Sequence, residues 1–371
     1  ATALGVDSSA SGTNSTAAGA LSTASGLSAS AFGNNSDAAG DNATALGVDS
    51  SASGTNSTAA GALSTASGNG SSVYGSLSLA SGEYATASGF NSNATADKAS
   101  AYGTGSMATG ESSVAIGNGA QAQQAGSIGI GYGATAVSTN SVAVGAGAVA
   151  RSSVAIGGGA EALGTNTTAV GDNARATGNF SVSLGNNATA RAVNSVTLGS
   201  GADVAENAEG GTALGQNAHV EQNAASSVAV GQDSVATENY TVSVGSETLK
   251  RRIINIGDGI NETDAVSLRQ MSVMENSLKS EISSLYYEID DLDTRLDDVG
   301  ALGAAMSAMV PNSRSKGRTQ VSVGFGHYGG SQAIAAGFFH YINDDMLVNA
   351  GISTTTTTNE VFGRAGLTIG W

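Results

Sequence analysis

A short phrase that ends in glycine recurs through the first two thirds of the chain at a fixed spacing. SSVAIG occurs at Ser112–Gly117 and again at Ser152–Gly157, and near-copies such as SVAVG and SVSLG lie between and after them. From Gly5 to Gly145 the closing glycine falls every 14 residues, and it then continues to Gly245 with one step of 12 and two of 16. A disordered, low-complexity linker, the alternative, has no reason to keep this phase, so the period predicts a stacked repeat architecture.

The 14-residue unit favours a β-solenoid whose every turn holds two short strands and two tight turns. Glycine, serine and β-branched residues at most positions oppose a helix. Val114 and Ile116 alternate with Ser113 and Ala115, so we expect Val114 and Ile116 to face the inside of the coil. Backbone pairing at roughly 4.8 Å per rung would make about eighteen turns a rod of roughly 85 Å. Residues 1–26 recur unchanged at 43–68, a shift of three whole turns that a solenoid tolerates.

Charge and composition exclude several classes of partner. The net charge is −16, and the only Lys or Arg residues before position 250 are Lys98, Arg151, Arg175 and Arg191. Phosphate binding needs a basic stripe, so we expect no nucleic-acid partner. The absence of cysteine excludes thiolate catalysis, cysteine-based zinc sites and disulfides. The chain opens in mid-pattern with ATALG and without a signal peptide, so we expect a fragment or a mature form.

No arrangement of residues indicates an enzyme, a cofactor or a metal site. His219 stands alone in the repeats, and we expect it on the surface. His327 and His340 could pair in space, but surface positions fit them better than a metal site. Abundant serine and aspartate without a partnered histidine do not make a catalytic set. GDGINETDA lacks the alternating ligands of a calcium loop, and GIGYG is not a phosphate loop because no helix follows it.

The composition changes at residue 246, where SETLKRRIINIGDGINETDAV begins. A cluster of three cations is followed by three acids within fourteen residues. We predict ion pairs between the two groups, across chains, at the place where a wide rod narrows to a coil; a solvated charge run is the alternative. The residues are Lys250, Arg251, Arg252, Asp258, Glu262 and Asp264.

A coiled coil follows, because apolar residues recur at alternating spacings of four and three. Acidic residues lie outside this seam, and the register continues through Gly303, Met306 and Val310 until Pro311, where we expect the helix to stop. Isoleucine at the first seam position and leucine at the second favour a parallel dimer. The seam residues are Leu278, Ile282, Leu285, Ile289, Leu292, Leu296 and Val299.

Four strand-like segments follow Pro311, each about ten to thirteen residues long with polar breaks between them. Large apolar residues alternate with small or polar ones, which is typical of a membrane barrel whose apolar side faces lipid. A soluble four-stranded sheet packed on the helix is the alternative. On the outer face we place Val321, Val323, Phe325, Val361, Leu367, Ile369 and Trp371, and on the inner face Ser322, Gly324, Gly326, Arg364 and Thr368.

Four strands cannot close a barrel, and open sheet edges are not tolerated in lipid. Two copies would give eight strands, whose lumen is filled by side chains alone. Three copies would give twelve strands with room for three thin helices, and residues 300–309 read GALGAAMSAM. We therefore predict a trimer against the dimer preference of the seam. Small residues on both walls would leave space in this lumen, and the predicted pore residues are Gly303, Ala304, Gly324, Gly326 and Arg364.

The chain resembles the trimeric autotransporter adhesins of Gram-negative bacteria, of the Yersinia adhesin A type. The SVAIG repeats are similar to the left-handed β-roll head of that family, GSETLKRRIINIGDGINETDAV to its neck, and the last segment to its membrane anchor. The resemblance implies a trimeric β-roll head at 1–245, a neck at 246–271, a coiled-coil stalk at 272–299 and a twelve-stranded trimeric barrel formed by 300–371.

The resemblance also implies a function and partners. The protein would be a homotrimeric adhesin of the bacterial cell surface, attaching to host matrix or cells and to its own kind. Its barrel would translocate and anchor its own passenger in the outer membrane, in contact with lipid and the barrel assembly machinery, with Trp371 as assembly signal. A non-adhesive repeat fibre, of phage type or ice-binding, is the alternative.

The collagen-binding heads of the family carry the motif N-S-V-A-I-G-x-x-S. Residues 140–148 read NSVAVGAGA and residues 226–234 read SSVAVGQDS, so each lacks one end of the motif. Collagen, fibronectin and laminin are the host matrix partners that the resemblance suggests. The candidate ligand-binding residues are Asn140, Ser141, Val142, Ser226, Val228 and Ser234.

Overall fold

The computed structural model describes residues 1–371 and divides into two compact units, 1–252 and 253–371. The first unit is a β-solenoid built from strands of two or three residues. The second contains one long helix and a four-stranded antiparallel sheet. The order and kind of these elements agree with the fold class predicted from the sequence.

The solenoid consists of two parallel sheets, sheet A and sheet B, to which each turn contributes in alternation. Val114–Ile116 pairs with Ile128–Ile130 of the next turn, and Gln121–Ala122 pairs with Thr135–Ala136. The strands of sheet A are Thr2–Leu4, Thr16–Ala18, Ser30–Phe32, Thr44–Leu46, Thr58–Ala60, Ser72–Tyr74, Thr86–Ser88, Ser100–Tyr102, Val114–Ile116, Ile128–Ile130, Val142–Val144, Val154–Ile156, Thr168–Val170, Val182–Leu184, Val196–Leu198, Thr212–Leu214, Val228–Val230 and Val242–Ser243. The strands of sheet B are Ser9–Ala10, Thr23–Ala24, Asp37–Ala38, Ser51–Ala52, Thr65–Ala66, Leu79–Ala80, Asn93–Ala94, Met107–Ala108, Gln121–Ala122, Thr135–Ala136, Val149–Ala150, Glu161–Ala162, Arg175–Ala176, Thr189–Ala190, Asp203–Val204, His219–Val220 and Val235–Ala236.

The irregular steps of the period leave the strand pairing intact. Val142 pairs with Val154, twelve residues later, and Val196 pairs with Thr212, sixteen residues later. Residues are therefore lost or gained between the strands, where backbone length is not fixed by a partner. The length of a turn varies, but the pairing of each turn with the next stays the same.

The interior of the solenoid is lined by alanine and serine, which corrects the sequence prediction for Val114 and Ile116. Ser113 and Ala115 are 0% exposed, whereas Ile116 is 39% exposed and Val114 is only half-buried. The direction of alternation was therefore wrong for these strands. A turn of 14 residues brings its two strands so close together that mostly methyl and hydroxymethyl side chains fit between them.

Serine and glycine in the repeat serve the turns. The Ser141 hydroxyl is buried and donates to the carbonyl oxygen of Ser138 at 2.7 Å, which satisfies an acceptor inside the coil. Gly117 has a φ of 128°, and a Cβ there would lie 2.5 Å from the carbonyl oxygen of Gly131 in the next turn. No side chain fits at that approach, which explains why the phrase always closes with glycine.

The helix α1 spans Leu268–Ser307, forty residues, in the second unit. Ser267 caps its N-terminus and forms a capping box with Gln270. The two side chains accept hydrogen bonds from backbone N–H groups that would otherwise lack a partner at the start of the helix. The predicted seam residues are all exposed, from 50% at Leu278 to 63% at Val299. No segment of this helix has the length and hydropathy needed to cross a membrane.

The end of α1 differs from the prediction in two ways. The helix stops at Ser307, with Ala308 as its C-cap, and does not continue to Pro311. Residues just before a proline disfavour the helical conformation, so the chain leaves the helix earlier. Met306 is not part of the exposed seam, because it is 3% exposed and packs with Met309 against the sheet.

The sheet of the second unit consists of four antiparallel strands in chain order: β1 (Thr319–Tyr328), β2 (Ser331–Asn343), β3 (Met346–Thr355) and β4 (Val361–Ile369). Its inner face packs on α1, where small residues meet flexible apolar ones. This core contains Ala301, Leu302, Ala305, Met306, Met309, Ala333, Ala335 and Phe339.

The outer face of the sheet exposes large apolar side chains, as the alternation predicted. Val321 is 75% exposed, Phe325 is 72% exposed and Leu367 is 57% exposed. A soluble sheet packed on a helix would bury or replace such residues. The outer face therefore contradicts the soluble alternative and fits contact with lipid.

The alanine interior gives a first prediction. We expect Ala122→Leu to lower the free energy of unfolding of the head by about 1–3 kcal/mol, because leucine is larger than any side chain that the interior holds, the largest being valine. Gln121→Leu, one residue earlier and on the outward face of the same strand, is the matched control and should change it by less than about 0.5 kcal/mol. Urea unfolding of the two variants measures this. Equal stability for both would contradict the assignment of the interior.

Candidate functional site

The outward faces of the two solenoid sheets differ in chemistry. From Val114 onward the outward positions of sheet A carry valine, isoleucine and leucine in most turns, whereas earlier turns carry serine or threonine at the first of them. A partly exposed apolar face on a folded unit is typical of an association surface. Examples from successive turns are Val114, Ile116, Ile128, Ile130, Val142, Val144, Val154 and Ile156.

The outward face of sheet B and the turn beside it carry charged residues that pair between neighbouring turns. Glu161 pairs with Arg175 at 3.0 Å. Asp203 accepts from Arg191 at 2.7 Å, and its Oδ2 lies 2.9 Å from Nδ1 of His219. These contacts join neighbouring rungs, so they support the stack without touching its interior.

His219, in the last of these pairs, lies partly exposed, as expected for a surface residue. Its hydrogen bond to the Asp203 carboxylate raises its pKa above the ordinary value of 6.5, against the opposing effect of partial burial. The protonated ring is therefore favoured in the folded head.

The structure separates the predicted ligand-binding residues into exposed and buried ones. Asn140 and Ser226 are exposed and occupy turns with φ of 58° and 55°. The hydroxyls of Ser141 and Ser234 are buried and donate to backbone carbonyl oxygens. A ligand would therefore reach the first residue of each motif but not these two serines. The remaining two, Val142 and Val228, are half-buried on the outward face of sheet A.

The basic cluster after the repeats contacts the end of the solenoid. Arg251 donates to Ser234 Oγ at 2.9 Å and to the carbonyl oxygens of Val244 at 2.8 Å and Gln232 at 2.5 Å. Its guanidinium thus closes the last turn, which has no further rung to pair with. Lys250 and Arg252 are exposed.

The acidic residues of the predicted neck have local partners in the second unit. Asp258 pairs with Arg269 and accepts from the Ser267 hydroxyl at 2.6 Å. Backbone N–H groups of Asn261 and Ile260 donate to Asp264 and lower its pKa. These carboxylates shape the entry of α1, and ion pairing with Lys250, Arg251 and Arg252 of another chain stays a prediction.

In the second unit, two glycines of β1 allow α1 to approach the sheet closely. A Cβ on Gly326 would lie 2.2 Å from the Ala305 nitrogen and 2.3 Å from the Ala301 oxygen. A Cβ on Gly324 would lie 2.2 Å from the Ala305 oxygen. The helix backbone therefore rests directly on the strand, and only glycine fits at these positions.

Arg364 lies on the inner side of β4, next to the C-terminal end of α1. Its Nη2 donates to the Met309 carbonyl oxygen at 3.4 Å, and its guanidinium carbon lies 6.0 Å from the centre of the Phe339 ring. A cation beside the last carbonyl groups of a helix is favourable. The other predicted pore residues differ in contact: Gly303 is open, with space for a Cβ, and Ala304 is half-buried.

The remaining predicted positions, His327, His340 and Trp371, lie apart from one another. Gln332 faces His327 across the strand pair and Thr319 faces His340, so the two histidines occupy distant rungs and do not pair. His340 Nδ1 lies 2.9 Å from the Thr319 hydroxyl. Trp371 is fully exposed after the end of β4.

Family models match both units of the chain. The model described as YadA head domain repeat matches residues 1–22, 24–50, 52–78, 80–106, 108–128, 122–148, 149–174, 176–202 and 223–248. The model described as YadA-like membrane anchor domain matches residues 311–371. The chain belongs to the YadA-like family of trimeric autotransporter adhesins. The resemblance inferred from the sequence is thereby confirmed.

Two solved structures are similar to parts of this adhesin. The crystal structure of the collagen-binding domain of Yersinia adhesin YadA is 23% identical, covers 68% of this chain and 86% of its own, and gives a TM-score of 0.21. The solid-state NMR structure of the membrane anchor domain of the trimeric autotransporter YadA is 28% identical, covers 25% of this chain and 86% of its own, and gives a TM-score of 0.23. No curated protein is significantly similar to the chain.

Sequence reasoning missed one group of this adhesin. The sequence analysis treats the acidic residues of the helix only as lying outside the seam, yet one of them, Asp298, is 1% exposed and contacts the anchor sheet. The seam pattern predicts which positions face other helices, and it does not indicate that the opposite side of α1 packs on the anchor sheet. A weak signal was the run TTTTT at 354–358, which offers several hydroxyl donors in one short segment.

The close approach at β1 gives a second prediction. We expect Gly326→Ala to destabilise the anchor by about 1–3 kcal/mol, because the added Cβ overlaps helix backbone. The amount of heat-resistant trimer and the amount of head on the cell surface should both fall. Gly363→Ala, in β4 with open space around the position, is the control. Wild-type trimer in both variants would show that the helix does not rest on β1 as described.

The Asp203–His219 contact gives a third prediction. Because the folded pKa of His219 is raised, the contact stabilises the head fully below the ordinary value, and this stabilisation is lost as the pH rises through the raised pKa. We expect Asp203→Asn to bring the pKa back towards its ordinary value and to lower the melting temperature at about pH 5.5 more than at about pH 8.5. Titration of the His219 ring by NMR measures the pKa. An unchanged pKa in Asp203→Asn would contradict the contact.

Proposed function

We propose that three copies of the chain form a surface fibre of the Gram-negative outer membrane that attaches bacteria to host matrix or cells and to one another. The head and anchor families of this adhesin supply the coarse function. The observation that carries the finer proposal is that each unit leaves an apolar or hydrogen-bonding surface without a partner in one chain.

The coiled-coil seam supports the assembly of several copies. Leu285, Ile289 and Leu292 are each more than half exposed on a helix whose other side is acidic. Each Å² of apolar surface that is removed from water contributes about 25 cal/mol of favourable free energy, so the association of such seams is favourable. The outward apolar face of sheet A adds a second surface of the same kind.

The edges of the anchor sheet support three copies in particular. β1 and β4 are edge strands with unpaired backbone groups, and lipid does not tolerate open edges. Three copies supply twelve strands, and the glycines of β1 let each helix lie flat against its own wall. The lumen then holds three helices, with Gly303 on the exposed side of each.

The anchor has a second task in this proposal, the export of its own head. Each α1 runs along the inner face of its own sheet, so the same lumen serves passage and later closure. The partners at this stage are outer-membrane lipid and the barrel assembly machinery, with the exposed aromatic Trp371 as the recognition signal. Gly303, Ala304, Gly324 and Gly326 keep the passage wide, and Arg364 lines it.

The host ligand is proposed from the turns of the head. The similar Yersinia domain is named as collagen-binding, and collagen is the first ligand that we propose here, with fibronectin and laminin as further matrix partners. Contact would use the exposed turn residues of many rungs, including Asn140 and Ser226. Many weak contacts, multiplied by three chains and many fibres, give firm attachment.

The alternative of a phage-type or ice-binding fibre does not fit this chain. Its anchor family and the exposed apolar face of the anchor sheet both require a membrane. The TTTTT run lies at the end of β3 and in the loop after it, where Thr358 donates to Asp298 of the anchor helix, and it forms no flat ladder of the ice-binding kind.

Adhesion gives a fourth prediction. A non-adherent Gram-negative bacterium that expresses the full chain behind an export signal should gain binding to collagen-coated surfaces and should clump. The control lacks residues 1–245 and keeps the neck, helix and anchor, so it should insert without binding. Surface-exposed head without any gain in matrix binding or clumping would contradict the adhesive function.

A further inference from the structure

Asp298 is a buried carboxylate on the face of α1 that meets the anchor sheet. It is 1% exposed and belongs to none of the ion pairs of the chain. The Ser331 hydroxyl donates to its Oδ1 at 2.6 Å, and the Thr358 hydroxyl donates to its Oδ2 at 2.6 Å. The two donors come from different connections of the sheet, the start of β2 and the loop between β3 and β4.

In the loop between β3 and β4, a chain of hydrogen bonds orients the Thr358 hydroxyl that donates to Asp298. The N–H of Glu360 donates to Thr355 Oγ1 at 2.9 Å. The hydroxyls of Thr355 and Thr358 lie 2.6 Å apart. With the proton of Thr358 directed at Asp298, the Thr355 hydroxyl donates to Thr358, so each donor in the chain is polarised by the next. This accounts for part of the TTTTT run.

A second contact lies one residue earlier on the helix. The N–H of Gly330, in the turn between β1 and β2, donates to Asp297 Oδ2 at 2.7 Å. Gly329 of the same turn has a φ of 52°, and a Cβ there would lie 2.0 Å from Asp297 Oδ1. Both connections at this edge of the sheet therefore hold the same turn of α1.

The rest of the helix–sheet contact does not select one axial position strongly. Gly324 and Gly326 touch backbone atoms of α1, and similar backbone atoms recur at every helical turn. Met306 and Met309 are flexible side chains that adapt to irregular space. A slide of α1 by one turn, 5.4 Å, would keep much of this contact.

We propose that Asp298 is the positioning residue that fixes α1 at one axial position in the anchor and so keeps the lumen closed after export. A slide in either direction would break both hydrogen bonds to the Asp298 carboxylate, and a slide further into the lumen would leave a buried charge unpaired, which is strongly unfavourable. A single buried polar residue fixes register in coiled coils in the same way. This inference rests on the proposed function, because it needs α1 to remain in the lumen.

The experiment measures closure of the lumen in the full chain. Purified trimers of wild type and variants are reconstituted in planar lipid bilayers, and the fraction of time in a conducting state is recorded. Asp298→Ala removes both hydrogen bonds of a charged group, so the ratio of displaced to seated helix should rise about tenfold or more. Asp293→Ala, at an exposed position of the same helix, is the matched control and should conduct like wild type.

A covalent rescue separates positioning from a general loss of stability. The chain has no cysteine, so the double variant D298C/S331C can form only the intended disulfide within one chain. Oxidised trimers should be closed like wild type, and a reducing agent should open them. A role in stability alone would lower heat resistance without this reversible change in conductance.

The outcomes are decisive in each case. Wild-type conductance in Asp298→Ala overturns the proposal. If that variant does not assemble, the S331A/T358V double variant takes its place, and a closed lumen there overturns it equally. If neither assembles, oxidised D298C/S331C decides: closed trimers that open on reduction support the proposal, and any other behaviour rejects it. Failure of wild type itself to insert or to expose its head contradicts the proposed function instead.

Discussion

Backbone hydrogen bonding between successive turns of the solenoid is the interaction on which the head depends. Each turn has strands of two or three residues, too short to be stable alone, so every rung takes its partners from the turns before and after it. A turn of only 14 residues also brings its two strands close together, and the space between them admits mostly alanine and serine. The interior therefore adds little apolar burial, and the large residues are left for the outward faces.

The same close approach of backbone recurs in the anchor. There a helix lies on a strand, and Gly324 and Gly326 allow the close contact that alanine and serine allow in the head. In both units, small residues inside leave large apolar residues outside, on sheet A, on the helix seam and on the outer face of the anchor sheet. A chain with these surfaces is complete only with copies of itself and with lipid, which is how an adhesin made of thin elements becomes stable.

The sequence predicted the period, the long helix and the strand alternation of the anchor, because each depends on the spacing of residue types along the chain. It was wrong about the direction of Val114 and Ile116. The alternation of residue types predicts that successive residues of a strand face opposite sides of the sheet. The space between the two sheets of the solenoid decides which of these residues face the interior. It was also wrong about Met306, since a heptad pattern does not report that the helix has a wall on its other face.

Composition and spacing by themselves determined the repeat architecture and the order of repeats, helix and strands, and the resemblance of the repeat, neck and last segments to known adhesins indicated the family. Only the tertiary structure decided which side chains are available. It buried the hydroxyls of Ser141 and Ser234 in the turns and gave Arg251 to the last rung. It also brought Asp298 to Ser331 and Thr358, which are 33 and 60 residues away. Local spacing fixes periodicity, whereas contacts between distant residues depend on how helix and sheet meet, and no pattern in one segment contains that information.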